Sequence, residues 1–376
     1  MFVEAYISSV TEIIGLYKPQ QPLVLFLKQY FKINKKFGAR DRKFITALLY
    51  GFYRLGKNQT HLSIREQIIL GSFLSAELPE IFFQKTNSKI SEGYFLNFDE
   101  KKEILINEYK INFSIPFELT KEIDEEEYIK YLFRPAAVFI RIRKNAHHIK
   151  NKLYQAKVPF NELSPTCFSF QKNIKLQEVL GETDEYVIQD YSSQMCTTVF
   201  ETKNNEKWWD CCAASGGKSL LIYDKNNHIQ LDVSDIRKTI IERLKKRFDF
   251  YHLTPNKIFV HDARLPLKQY EYYDSVLIDA PCSGSGTWSR SPEQYYFFSK
   301  EKLAEFKKLQ TEILKNISGY TKKSVYYLTC SVFADENEHV VDSLVGNHFF
   351  VNEQRSLNAF EKGGDHIFAS HLCKIN

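Results

Sequence analysis

The chain has 376 residues, 43% of them hydrophobic and 26% charged, with a formal net charge of +5. That length exceeds one ordinary core and predicts two or three domains of soluble, globular composition. No apolar run of about 18 residues occurs, which argues against a membrane-spanning helix. The start, Met1-Phe2-Val3-Glu4, has no basic stretch leading into an apolar run, so no secretory leader is expected. Seven cysteines, including the adjacent pair Cys211-Cys212 and no Cys-x-x-Cys spacing, fit reduced thiols in a cytoplasmic protein. Ligands at metal-binding spacing are missing, so no metal is expected. The cation excess leans towards a polyanionic partner without establishing one.

Residues 1–130 read as helical. Phe44, Ile45, Leu48, Leu49 and Phe52 recur at helical spacing. Lys28, Lys32, Lys35, Lys36, Arg40, Arg42 and Lys43 crowd the region just before them. Such a cluster is either a solvated helix face or a patch that displaces counterions from a nucleic-acid backbone. The run Asp124-Glu125-Glu126-Glu127 marks an exposed linker or a helix start. Residues 131–185 read as a small α/β module with a ferredoxin-like sheet. Its signals are a strand over 138–143 with Arg141 and Arg143 on one face, a helix with Ile149, Leu153 and Tyr154, and a strand over 167–170.

From Tyr186 to the end, short apolar runs alternate with helices. Strands are expected at 208–211, 228–232, 257–260, 275–279 and 324–328, and a helix through Leu303, Leu309, Ile313 and Ile317. Alternating β and α predicts a Rossmann-like, doubly wound parallel sheet over 186–376, with ligands at the carboxyl ends of its strands.

The first of these strands runs into Cys212-Ala213-Ala214-Ser215-Gly216-Gly217-Lys218-Ser219. Small residues let backbone approach a ligand, and the following helix offers free N–H groups. The ending Gly-Lys-Ser suggests a phosphate-binding loop, but that motif needs glycine where Cys212 stands. Asp232, Asp262 and Asp279 are expected to end the next three strands. One such aspartate is more often a cap or turn residue. Together with the Gly-rich turn they describe a pocket for an adenosyl group with an amino-acid tail.

Two further turns carry cysteine: Asp279-Ala280-Pro281-Cys282-Ser283-Gly284-Ser285-Gly286, and Thr329-Cys330-Ser331 followed by Glu336-Asn337-Glu338. A single cysteine is usually a small buried hydrophobe. Two at neighbouring strand ends are better read as facing one crevice.

These residues resemble the RsmB/Sun family of RNA cytosine-5 methyltransferases. The family pattern Asp-x-Cys-Ala-Ala-Pro-Gly-Gly-Lys is met at Asp210 to Lys218 with Ser215 in place of proline. Asp-Ala-Pro-Cys-Ser-Gly-x-Gly is met in full, with Arg290 and Pro292 downstream. Gln189 to Gln194 resemble the motif that opens the family's domain. Residues Arg40 to Arg54 resemble the NusB-like RNA-binding domain of its bacterial ribosomal RNA members. The resemblance implies S-adenosylmethionine as cofactor, held by Cys212 to Lys218, Asp232, Asp262 and Asp279, and RNA as partner, most naturally ribosomal RNA, for a monomeric enzyme. It further implies Cys330 as the nucleophile that adds to cytosine C6, Asp279 as the hydrogen-bond partner of N3, and Cys282 as the residue that helps release the adduct. Ser215 is expected to loosen the cofactor loop. A non-catalytic ribosome-assembly factor on the same fold is the alternative. A methyltransferase of proteins or small molecules is a weaker one, since it has no need of Cys282.

Overall fold

The computed structural model describes residues 3–75, 77–171, 174–268, 271–346 and 348–375. They form two compact units: Met1–Pro116 with Asp124–Pro135 and Thr287–Ser299, and Phe117–Ile123 with Ala136–Gly286 and Lys300–Asn376. This division differs from a simple succession of three domains. Residues 136–185 share a unit with the large sheet, and Thr287–Ser299, Arg290 and Pro292 included, belong with the N-terminal helices.

The first unit is helical. In the helix Ala39–Arg54, Ile45, Leu48, Leu49 and Phe52 are buried, as their i, i+3, i+4, i+7 spacing predicts. It lies against Ile64–Ser75 at very short range. A Cβ on Gly71 would come within 2.1 Å of the Gly51 carbonyl oxygen, and one on Gly51 within 2.7 Å of the Ser72 nitrogen. Arg54 is interior, donating to Ser75 Oγ at 3.1 Å and to the Ser289 carbonyl at 3.2 Å. The acidic run begins the helix Glu125–Phe133, with Asp124 accepting from the Glu127 N–H at 2.8 Å. Lys28, Lys32, Lys35, Lys36, Arg40, Arg42 and Lys43 are all exposed.

The second unit holds two sheets. The smaller joins β1 (Val138–Ile142), β2 (Asn161–Ser164), β3 (Cys167–Phe170) and β4 (Tyr186–Ile188) in the order β2-β3-β1-β4, every pair antiparallel. With the helices Ala146–Gln155 and Leu176–Leu180 as crossovers this is the ferredoxin-like arrangement. Arg141 and Arg143 do not face solvent as a phosphate-binding strand would. Both close on Asp224, at 2.8 and 2.7 Å, with side chains 10% and 6% exposed.

The larger sheet is built from β5 (Lys207–Asp210), β6 (Gln230–Asp235), β7 (Lys257–Val260), β8 (Tyr273–Asp279), β9 (Thr321–Thr329), β10 (Phe349–Asn358) and β11 (His366–Lys374). Its order is β10-β11-β9-β8-β5-β6-β7. β5 to β9 run parallel, whereas β10 and β11 are antiparallel. Both faces are covered, so the apolar side chains of the central strands alternate between two cores. Trp208, Leu277 and Tyr326 pack with Leu220, Leu221 and Leu244, while Trp209, Ile278 and Tyr327 pack with Ile313, Leu314 and Ile317.

Asp210 ends β5 fully buried, and Ser219 Oγ donates to it at 2.5 Å. Burial pushes its carboxyl up to about 7.

Gly71→Ala should destabilise the helical unit by about 1–3 kcal/mol through overpacking. Gly15→Ala, in a helix with nothing within 4 Å of the new Cβ, should stabilise it by about 0.5–1 kcal/mol. Urea unfolding of both variants measures this, and equal effects would refute the close helix contact. Asp210 binds its proton more tightly folded than unfolded. Its stabilisation is therefore complete below about pH 4 and is lost as pH rises through about 7. The melting temperature of Asp210→Asn, relative to the natural protein, should rise from pH 4 to 7 and then level. A constant difference across that range would contradict the buried, protonated carboxyl.

Candidate active site

Parallel pairing puts the ends of β5 to β9 on one edge, and the turns that follow line a cavity of about 570 Å³, within the usual range for ligand sites. Among its lining residues are Cys212, Ala214, Lys218, Asp235, His261, Asp262, Asp279, Cys282 and Cys330.

The turn after β5 is held by backbone. Ala213 N–H donates to the Ser234 carbonyl at 3.0 Å and Gly216 N–H to Ala213 at 2.7 Å. Ala214 adopts a left-handed φ of 46°, which presents its N–H to Asp235 Oδ2 at 3.0 Å. Gly216 has φ 75°, and a Cβ there would lie 2.4 Å from the Phe248 ring. Glycine is therefore required at 216 on two counts. Ser215 does not leave the loop loose: its hydroxyl and carbonyl accept from Arg247 Nη1 at 3.0 and 3.1 Å. Gly217 begins the helix Gly217–Lys225, and its carbonyl accepts from Gln189 Nε2 at 3.2 Å. Of the eight residues from Cys212 to Ser219, the cavity wall uses Cys212, Ala214 and Lys218; Ala213, Ser215, Gly216 and Gly217 shape the turn behind it.

The sequence reading of Asp232 is corrected. β6 continues three residues beyond it, to Asp235. Asp232 is fully buried inside the strand and accepts from Asn256 Nδ2 at 2.8 Å and from the hydroxyl of Tyr273, the first residue of β8, at 2.9 Å. It thus lies towards the opposite edge of the sheet. Asp235 occupies the strand end. Burial opposes its charge, but Arg237, at 2.9 and 3.0 Å, and the Ala214 N–H outweigh it and hold the carboxyl below its usual range. The alternation of Leu231, Val233 and Asp235 along β6 was the available signal, hidden by starting the strand too early. Asp262 lies two residues past β7, paired with Arg264 at 2.6 Å, whose hydrogen bonds lower its carboxyl. His261, also unforeseen, lines the cavity, and its Nε2 has no hydrogen-bond partner among the described residues.

Asp279 ends β8 and accepts from Lys218 Nζ at 2.8 Å. Burial alone would lower the Lys218 ammonium, yet Asp279 and the thiols of Cys196 and Cys330 hold it above its ordinary value. Beyond Asp279 the turn carries Cys282, whose Sγ stands 3.2 Å from Cys330 Sγ; both thiols are free. The hydrogen bond with Cys330 first, then burial and the nearby Glu336 carboxylate, push the Cys282 thiol well above its ordinary value. The two turns touch where Gly286 N–H donates to the Cys330 carbonyl at 2.9 Å. A Cβ on Gly286 would lie 3.0 Å from that oxygen and 2.7 Å from the His366 oxygen. Among the described residues no cluster suited to a metal ion occurs, and no helix is long and apolar enough to cross a membrane.

Residues 197–367 match the family described as 16S rRNA methyltransferase RsmB/F. The chain is 34% identical over 165 residues to ribosomal RNA small subunit methyltransferase B of Photorhabdus laumondii subsp. laumondii, a stretch covering 43% of this chain and 38% of that protein. It is 31% identical over 172 residues to the probable ribosomal RNA small subunit methyltransferase B of Bacillus subtilis, covering 44% and 38%. The matched stretch thus spans well under half the length of these relatives. In fold the chain is similar to the crystal structure of PH0851, with a TM-score of 0.65 and 20% identity over 98% of each chain. The family match takes in the ends of β5 to β9 and every residue that lines the cavity, so the part of the chain that is similar to this methyltransferase family is the part that carries the site.

Proposed function

We propose that the protein transfers a methyl group from S-adenosylmethionine to C5 of a cytosine in RNA, most naturally ribosomal RNA. The observation that carries this reading is the pair of free thiols, Cys282 and Cys330, 3.2 Å apart in one cavity wall with Lys218 and Asp279. A single thiol would serve a nucleophile; a second, kept protonated beside it, suits a reaction whose product must be released from the first.

The cavity's donor set suits the cofactor. Asp235 and Asp262 sit at successive strand ends, where carboxylates accept from ribose hydroxyls or an adenine amine. Ile236, Ala263, Leu309 and Ile313 supply apolar walls, and His261 Nε2 lacks a partner. When bound there, S-adenosylmethionine supplies an electrophilic methyl group.

Cytosine C5 is too weak a nucleophile to take that methyl unaided. The Cys330 thiolate adds to C6, and the displaced electron pair is carried through the ring to N3, which takes up a proton and donates it in a hydrogen bond to Asp279. C5 of the adduct is enamine-like and accepts the methyl. Solvent water takes the C5 proton, the electron pair left behind re-forms the C5–C6 double bond and expels Cys330 as thiolate, and N3 gives up the proton it had gained, which restores the neutral aromatic ring. Cys282 is the thiol in contact with Cys330 while this happens, and assists the release. The target base must be unstacked to reach the site. The exposed cations from Lys28 to Lys43 are suited to the phosphate backbone.

Asp235→Ala should weaken S-adenosylmethionine binding by about 1–3 kcal/mol, since it removes a charged acceptor from the cavity. Asp232→Ala should lower thermal stability and leave the affinity of the folded protein nearly intact. Calorimetric titration of both variants decides, and the reverse pattern would move the cofactor site away from the end of β6. Cys330→Ala should abolish methylation and adduct together. Cys282→Ala should let the adduct form and stall its release, so that a protein–RNA species survives denaturing electrophoresis. The double variant should show none. Should Cys330→Ala trap RNA while Cys282→Ala does not, the roles are exchanged; unchanged turnover in both would end the covalent mechanism.

A further inference from the structure

We propose that Glu336 is the positioning residue that sets the two thiols against each other, an inference that rests on the methyltransferase reading above. Glu336 lies just beyond the turn after β9 and is fully buried. Its carboxylate accepts from Ser283 N–H at 2.8 Å, Ser283 Oγ at 2.5 Å, Ser331 Oγ at 2.5 Å and Gln310 Nε2 at 3.0 Å. Ser283 directly follows Cys282, and Ser331 directly follows Cys330. One carboxylate therefore ties together the residues next to each thiol. Gln310 extends the brace, since its amide nitrogen also donates to the Pro281 carbonyl at 2.9 Å, on the other side of Cys282. Ser285 adds a cross-link, with its hydroxyl 3.1 Å from Ser331 Oγ and accepting from the Val332 N–H at 2.9 Å.

Burying a carboxylate without a cation beside it is costly, and burial raises its pKa despite the four donors. A core that needed only bulk here would be served by glutamine. What glutamine lacks is acceptor capacity: an ionised carboxylate accepts at both oxygens, whereas an amide presents one acceptor and two donors. Two turns that each offer a serine hydroxyl need acceptors on both sides. The charge has a second consequence, because it stands near Cys282 and disfavours its thiolate. It adds to the hydrogen bond with Cys330 and to burial, which together keep Cys282 protonated. Glu336 itself is absent from the cavity wall, so it acts through the two cysteines.

The test uses the full chain with Glu336→Gln and, separately, the double variant Ser283→Ala/Ser331→Ala, which keeps the buried carboxylate and removes only hydroxyl links. Four quantities are read: the melting temperature, S-adenosylmethionine affinity, kcat and KM on RNA, and the yield of a Cys282–Cys330 bridge formed by dibromobimane, mapped by peptide mass spectrometry. In both variants kcat should fall roughly ten- to a hundred-fold, as expected for misplacement of reacting groups on the scale of an ångström. KM and cofactor affinity should stay within about two-fold, because uniform binding is untouched. The bridge should form more slowly. If Glu336→Gln does not fold, the double serine variant carries the same expectation. Wild-type kcat with a wild-type bridging rate would overturn the proposal, as would parallel losses of kcat and cofactor affinity. If the natural protein bridges its thiols but methylates no RNA, the methyltransferase reading fails, and bridging alone then judges the positioning role.

Discussion

The parallel pairing of β8 with β9 is the constraint on which the site depends. Its register sets Asp279 beside Leu328, so the chain leaves the two strands almost level, about 4.8 Å apart. Cys282 follows three residues after Asp279, and Cys330 two after Leu328. Both turns must then occupy the same small volume, and only small residues permit it. Serines fill the space between the turns and supply hydroxyls in place of bulk, while Gly286 brings one backbone onto the carbonyl of Cys330. The thiol contact is thus a product of sheet register and turn composition. Neither cysteine could be moved by one residue without losing it.

The electrostatics of the cavity follow from the same edge. Three carboxylates stand at successive strand ends, and each has its own cation: Asp235 with Arg237, Asp262 with Arg264, Asp279 with Lys218. The pairs differ in exposure. Arg264 is 46% exposed and Lys218 only 14%, so water screens the first far more than the second. The Lys218–Asp279 pair is therefore the one that fixes geometry. It keeps a full positive charge close to Cys330, as the influence of that thiol on Lys218 shows. Cys282, by contrast, has the carboxylate of Glu336 for a neighbour.

Most of the parallel strands were legible because apolar residues cluster between turn signals, and the turns that line the cavity because small residues, aspartate and cysteine coincide there. Asp232 was misplaced for a physical reason. Polar residues at 232, 234 and 235 make β6 look shorter than it is, since Asp232 and Ser234 are satisfied inside the sheet by Asn256, Tyr273 and Trp209. β10 and β11 carry many polar side chains and pair with each other at an edge, so no periodic apolar signal announces them. The helical affiliation of Thr287–Ser299 was equally hidden. Its aromatic residues would suit any core, and only tertiary packing, as in the 5.2 Å contact of Tyr53 with Tyr296, decides which.

Arg141 and Arg143 show how charge in a sequence misleads when its counterion lies far along the chain. Asp224, more than eighty positions away, takes both guanidinium groups, and Tyr251 adds a carbonyl and a ring to Arg143. Their electrostatic capacity is spent inside the unit, where they fasten the ferredoxin-like sheet to the helix Gly217–Lys225. Substituting either would leave Asp224 partly unpaired in a low-dielectric setting, so a loss of RNA binding in such a variant would report damage to the domain. The lysines and arginines between Lys28 and Lys43 differ in kind: they are exposed, and neighbouring anions claim few of them. Long-range attraction to a polyanion arises from charges still surrounded by water and counterions, because releasing those counterions is what drives binding. We propose accordingly that the helical unit supplies RNA affinity and the sheet edge the chemistry, so that substitutions at the surface of one and in the cavity of the other should act separately.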